Sequence, residues 1–213
     1  MSVDEALDPL NRRRHWEGVY ERNPSTAVSW YQIEPRTSLD LIEELDLPEG
    51  AALVDVGGGA STLVDHLVAG GFTDVSVLDV SGAALEVAQG RLGDAPVRWL
   101  QQDLVTWEPD RRYELWHDRA LFHFFVDPAD RDRYLELIRT ALRPNGYVIL
   151  ATFASDGPPQ CSGLPVTRWS ADELGAFLGE DFEMLERRRE DHQTPGGDVQ
   201  PFTWVVARYR EVS

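Results

Sequence analysis

Short apolar runs alternate along this chain with longer stretches in which apolar residues return every third or fourth position. The runs at 51–56, 73–78, 97–101, 112–117 and 146–153 are rich in Val, Leu, Ile, Trp and Tyr, and they predict strands. Between them the spacing predicts helices near 60–70, 81–92 and 130–142. The last is closed by Arg143-Pro144-Asn145-Gly146, which ends a helix and starts a strand. Such alternation implies βαβ units and a parallel sheet. The ending differs: a short helix near 170–178, a run at 182–191, the turn Thr194-Pro195-Gly196-Gly197 and a run at 201–209. Two runs joined without a helix predict an antiparallel hairpin. The expected fold is α/β, a mostly parallel seven-strand sheet ending in an antiparallel hairpin. Residues 1–213 read as one domain, with a helical region over 1–46 placed as a cover on an α/β core at 50–210.

The first run breaks into Gly57, Gly58 and Gly59 before the next helix opens. Glycines there let backbone N–H groups and a helix N-terminus close on a ligand. Asp55, Asp79, Asp103 and Asp118 each stand at or beside a predicted strand end, the edge at which open α/β sheets bind ligands. Four acids on one edge suit a ligand with hydroxyls, an amino group and a positive centre. A dinucleotide site and an adenosyl site both place Gly-x-Gly after the first strand and an acid, here Asp79, on ribose hydroxyls. The dinucleotide pattern, however, wants a third small residue where Thr62 stands. Asp55 would also crowd a pyrophosphate, whereas it suits an ammonium group.

Composition narrows the choice further. The net charge is −17, and the basic runs Arg12–Arg14 and Arg187–Arg189 are short, which argues against nucleic acid and favours neutral or cationic partners. All 20 basic residues are arginine, so no lysine can serve a phosphate loop, a Schiff base or general-base chemistry. The single cysteine, Cys161, excludes a disulfide framework and a cysteine zinc site, and no His/Asp/Glu cluster has metal-ligand spacing. No apolar run is long enough to suggest a membrane span, and the first residues lack an apolar signal centre, so a cytoplasmic location is expected.

With these residues in view, positions 50–210 resemble the class I, seven-strand methyltransferases that use S-adenosylmethionine and release S-adenosylhomocysteine. The resemblance is carried by Asp55-Val56-Gly57-Gly58-Gly59-Ala60, by Asp79 in VLDVS, Asp103 in QQDL, Asp118 in HDRALF and the turn LRPNGY at 142–147. It implies a three-layer Rossmann-like sandwich whose last strand is reversed. It also implies that Gly57 and Gly59 admit the methionine part and Asp79 grips the ribose. Asp103 would face the adenine amine, and Asp118 would lie near the methionine end. Val80 and Leu104, beside two of these acids, join the expected cofactor site. A narrower likeness, from HDRALFHFF onward and through DGPP at 156–159, is to thiopurine and thiol methyltransferases. The N-terminal HWEGVYERNPSTAVSWYQ is instead similar to a group of seven-strand lysine methyltransferases.

The catalytic demand is small, because methyl transfer from a sulfonium is an in-line displacement that gains most from positioning. A base is needed only for a protonated acceptor, and His123 is the best-placed candidate; the alternative is a histidine packed between Phe122 and Phe124. Trp16, Tyr20, Trp30 and Tyr31, with His15, are candidates for the cover. Tyr31 is assigned to the cofactor, and Trp16, Trp30 and Phe122 to the acceptor. Cys161 reads as a loop thiol, and His192 as either pocket wall or exposed loop. The leading expectation is a small-molecule acceptor. The alternatives are a protein lysine methyltransferase and a cofactor-binding partner subunit without catalysis.

Overall fold

The computed structural model describes residues 9–210. Helices α1 (Pro9–Arg22) and α2 (Arg36–Glu44) precede the sheet. The expected helical region is interrupted, because Pro24 and Pro35 disfavour helix at the residues before them and residues 23–35 run as turns. Then follow β1 (Leu53–Val56), α3 (Leu63–Ala69), β2 (Val75–Asp79), α4 (Gly82–Leu92), β3 (Val97–Gln101), β4 (Tyr113–Arg119), α5 (Pro128–Ala141) and β5 (Leu142–Phe153). A small hairpin of β6 (Gln160–Cys161) and β7 (Leu164–Pro165) was not expected. The chain ends with α6 (Ala171–Leu178), β8 (Phe182–Gln193) and β9 (Val199–Tyr209).

Seven strands form one sheet in the order β3-β2-β1-β4-β5-β9-β8. The first five are parallel, and β9 runs antiparallel to both β5 and β8, which is the expected closing hairpin. Helices pack on both faces. β1 is buried along its whole length because its residues alternate between two cores. Val54 and Val56 face Trp116, Tyr134 and Leu137 beneath α5 and α6. Leu53 faces Leu41, Leu63, Leu67 and Leu85 beneath α2, α3 and α4.

Local chemistry sets the helix starts that matter. Ser81 caps α4 by accepting the Ala84 N–H at 3.2 Å, and Asp127 with Pro128 opens α5. Between β1 and β4 the strand order reverses. That switch point opens a crevice at the carboxyl edge of the sheet, where Gly57 follows β1 and Arg119 ends β4.

Candidate active site

A cavity lies at this crevice, with α1 across it. Its open space, mouth included, is about 880 Å³. The floor is Gly57, Leu78, Asp79 and Val80, with Gln102, Asp103 and Leu104 to one side and Arg119, Ala120 and Leu121 to the other. Arg12, Trp16, Tyr20 and Trp30 form the roof, and Phe124, Phe125, Asp130 and Cys161 complete the wall. A smaller cavity beside it is bordered by Tyr31, Ser38, Asp55, Gly58 and His117, and it shares Gly57, Trp30 and Arg119 with the first.

The glycine loop has the bare backbone its sequence suggests. Gly57 and Gly59 have φ of 68° and 46°, values that favour glycine. A Cβ at Gly57 would stand 2.8 Å from the Leu121 side chain, and one at Gly59 2.9 Å from an Asp79 carboxylate oxygen. Side chains at these two positions would therefore press into the cavity wall.

Asp79 is half-buried at the end of β2, and its Oδ1 accepts the Ser81 N–H at 2.8 Å. Burial, with the charges of Asp55 and Glu17 adding to it, pushes its carboxyl up to about 7 against the pull of that hydrogen bond. Asp103 caps the turn at 104–106 through the Val105 N–H at 3.0 Å, and it also accepts Arg12 Nε at 2.8 Å. Carboxylates beside the apolar Val80 and Leu104 suit a sugar diol attached to a flat ring carrying an amine. The residues present therefore fit an adenosyl group.

Asp55 lies apart from that group. Its Oδ1 pairs with His117 Nδ1 at 2.7 Å, and His117 Nε2 meets Ser38 Oγ at 3.0 Å, a buried chain that ties α2 to β1 and β4. Asp118 departs from its expected place. It is fully buried, and its oxygens take the Tyr134 hydroxyl at 2.6 Å, the Leu121 N–H at 3.0 Å and the Phe122 N–H at 3.3 Å. Burial pushes its carboxyl up to about 7. It does not border the cavity; it holds the loop that does.

His123 is corrected likewise. Its ring is buried against Phe124 and Phe153, with Nδ1 accepting the Phe153 N–H at 3.4 Å and Nε2 without a partner. Burial, aided by Arg119, drives its pKa down to about 3, and it borders neither cavity. The packed alternative describes it; a base that cannot reach the cavity cannot serve an acceptor there. Phe122 also turns inward, against Tyr134, Trp169 and Phe177, so the cavity's phenylalanines are Phe124 and Phe125. Tyr31 borders the smaller cavity, and His15 packs on Trp16 without bordering either.

The roof is aromatic. Trp16 meets Trp30 and Phe124 edge to face at 5.8 and 5.1 Å, and Trp30 Nε1 donates to the Tyr20 hydroxyl at 3.2 Å. Two polar residues that sequence reasoning missed latch α1 down. Glu17 accepts the Gly82 and Ala83 N–H groups and the Ser81 hydroxyl at the start of α4, while Arg12 bridges Asp103 and Asp130. Their partners lie far along the chain, so no local pattern announces them. His192, left open by the sequence, holds the Ser29 carbonyl at 2.7 Å and so steadies the segment leading to Trp30. Cys161, expected as a loop thiol, is buried in β6 and borders the cavity. No helix among the described residues is long and apolar enough to cross a membrane.

Comparison with known proteins agrees with this geometry. Residues 53–146 match the family described as methyltransferase domain. The EEF1A lysine methyltransferase 2 of Danio rerio is 24% identical over 201 residues, covering 86% of this chain and 80% of that protein. The probable thiol methyltransferase 2 of Arabidopsis thaliana is 29% identical over 153 residues, covering 68% and 65% respectively. The solved structure of a SAM-dependent methyltransferase from Anabaena variabilis superposes with a TM-score of 0.74 at 21% identity, covering 94% of this chain and 96% of that one. By its matched domain, its relatives and its strand order, the chain belongs to the class I S-adenosylmethionine-dependent methyltransferases.

Proposed function

We propose that the cavity beneath α1 holds S-adenosylmethionine beside a small-molecule acceptor and that methyl transfer takes place there. In this reading Asp79 accepts the ribose hydroxyls, Val80 and Leu104 flank the adenine, and Asp103 faces its amine. Gly57 leaves room for the methionine part as it passes toward Asp55. The bound cofactor supplies an electrophilic methyl group on a sulfonium, and the chain's own residues position and enclose the acceptor. Phe124, Phe125, Trp16 and Trp30 provide an apolar wall that excludes water, which matters more to a displacement than a base does. Asp118 and Tyr31 act at one remove, the first by holding the loop 119–125 and the second beside Asp55.

The observation that carries the small-molecule reading is the latched roof. Arg12 fastens α1 to Asp103 and Asp130, and Glu17 fastens it to the start of α4, so an acceptor must fit beneath a helix rather than enter as part of a folded surface. The lysine reading draws on a different observation, the Trp16–Trp30–Phe124 cluster, whose ring faces could hold an ammonium. It also draws on the likeness to EEF1A lysine methyltransferase 2. A single assay separates them. The protein is incubated with methyl-labelled cofactor and a cell lysate split by size. Label in the small-molecule fraction is expected, and label confined to a discrete protein band would overturn the small-molecule reading.

A further inference from the structure

Arg119 is the last residue of β4, at the switch point, and it borders both cavities. Its Nη1 donates to the Trp30 carbonyl at 3.0 Å, and its guanidinium lies over the Phe202 ring, 4.7 Å from the centroid. Its Nε and Nη2 are buried and have no hydrogen-bond partner. Those two atoms form one edge of the guanidinium fork, the edge that binds a carboxylate with two parallel hydrogen bonds.

The nearby acids do not fill that edge. Glu190 lies within electrostatic reach but spends its oxygens on Gln32 Nε2 at 2.8 Å and Trp204 Nε1 at 2.9 Å. Asp55 gives its Oδ1 to His117. The Cys161 thiol also borders the cavity, but burial pushes it up to about 12, so it stays protonated and brings no negative charge. An arginine remains charged in a protein, and a buried charged donor without a partner is costly. Ala120, the next residue, is held at φ 72°, a conformation a non-glycine residue rarely adopts. The residue with the unfilled donor edge and its strained neighbour both border the cavity, a pairing characteristic of a ligand-binding position.

We propose that the free edge of the Arg119 guanidinium is an anion-binding subsite and that the acceptor carries a carboxylate or comparable acidic group. The proposal rests on the methyltransferase reading of the cavity and narrows its substrate class. In the strand order Arg119 stands on the far side of β1 from Asp79 and Asp103, one strand beyond the glycine loop. An acidic group there leaves the rest of the acceptor against Phe124 and Trp30. A lysine acceptor would instead bring a second cation to a buried one. The carboxylate of the cofactor's own methionine part is the competing occupant of the same edge.

Benzoate and benzamide share a shape and differ in charge, and they serve as probes on protein saturated with S-adenosylhomocysteine, with binding read by ligand-observed NMR. Benzoate is expected to bind at least about tenfold more tightly than benzamide. Arg119→Gln should abolish that preference while S-adenosylhomocysteine affinity, read by calorimetry, changes less than about threefold. Equal binding of the two probes, or a preference that survives Arg119→Gln, overturns the proposal. It is equally overturned if Arg119→Gln weakens S-adenosylhomocysteine strongly yet leaves methylthioadenosine, which has no carboxylate, unaffected. Should Arg119→Gln fail to fold, the wild-type comparison still decides, with Arg119→Lys as the second variant. Failure of wild type to bind S-adenosylhomocysteine would refute the methyltransferase reading itself, a different result from loss of the acid preference.

Discussion

Cofactor affinity should rise with pH through 7, and Asp79 is the reason. In the free protein burial holds its carboxyl up to about 7. A ribose diol donates hydrogen bonds to the ionised carboxylate better than to the neutral acid, so binding favours ionisation and lowers the pKa. By linkage, a proton must then leave on binding wherever the free site is protonated. A group titrating near 7 is about one-tenth ionised at pH 6, half ionised at 7 and almost wholly ionised at 8. If the bound form titrates near the ordinary carboxylate range, affinity at pH 6 is about tenfold below its plateau, or about 1.4 kcal/mol. Calorimetry of S-adenosylhomocysteine binding in buffers of different ionisation enthalpy measures both quantities. About one proton released near pH 6 and almost none at pH 8 are expected. Asp79→Asn should weaken binding by about 1–3 kcal/mol at pH 8 and erase the slope. Affinity that is flat between pH 6 and 8, or proton uptake on binding, would refute the reasoning.

Glu17→Ala removes the acceptor for two α4 N–H groups and the Ser81 hydroxyl. It should cost about 1–3 kcal/mol and raise amide exchange across 9–22 ahead of the sheet; unchanged exchange in α1 would count against the latch. Asp118 also titrates near 7 but outside the cavity, so its effect belongs to stability. Because its folded pKa lies above its unfolded value of 3.8, the folded state holds the extra proton, and stability falls as pH rises from about 4 to 7. Asp118→Asn should flatten that fall in urea titrations while changing cofactor affinity less than about twofold, and a loss as large as that of Asp79→Asn would restore Asp118 to the binding site. His123→Gln should keep the pH–rate profile of wild type, since the ring is neutral and buried. A loss of about 100-fold in kcat together with a lost inflection would reinstate it as a base.

What was legible in the sequence follows from what is local. β1 and β2 are buried nearly throughout and sit in apolar runs, and all four strands β1 to β4 fall within two residues of expectation. The β6–β7 hairpin has two residues per strand, too few for any period to register. The strand-end acids marked the edge of the sheet at which the cavities open, but an edge does not say which way a side chain turns. Asp55 and Asp79 stay on the cavity side of the crevice, whereas Asp118 points to Tyr134, 16 residues onward on α5. His123 failed for the same reason: one step along a turn separates the wall residue Phe124 from a ring that faces Phe153.

Net charge averages over the same kind of detail. With 37 acids against 20 arginines, the chain reads as one that repels anions. Many of those arginines are spent at the surface, as Arg91 is on Asp65, Arg98 on Asp110, Arg111 on Asp74 and Arg189 on Asp156. The excess acid therefore shapes the outer field, which salt screens within about 8 Å at physiological ionic strength. At the proposed subsite the balance is different, because the Arg119 guanidinium would act at hydrogen-bond distance in a wall of low dielectric. An acidic acceptor would arrive slowly against the outer field and be held firmly once there. Raising salt should then speed its association while leaving the Arg119-dependent preference for the acid over its amide largely intact.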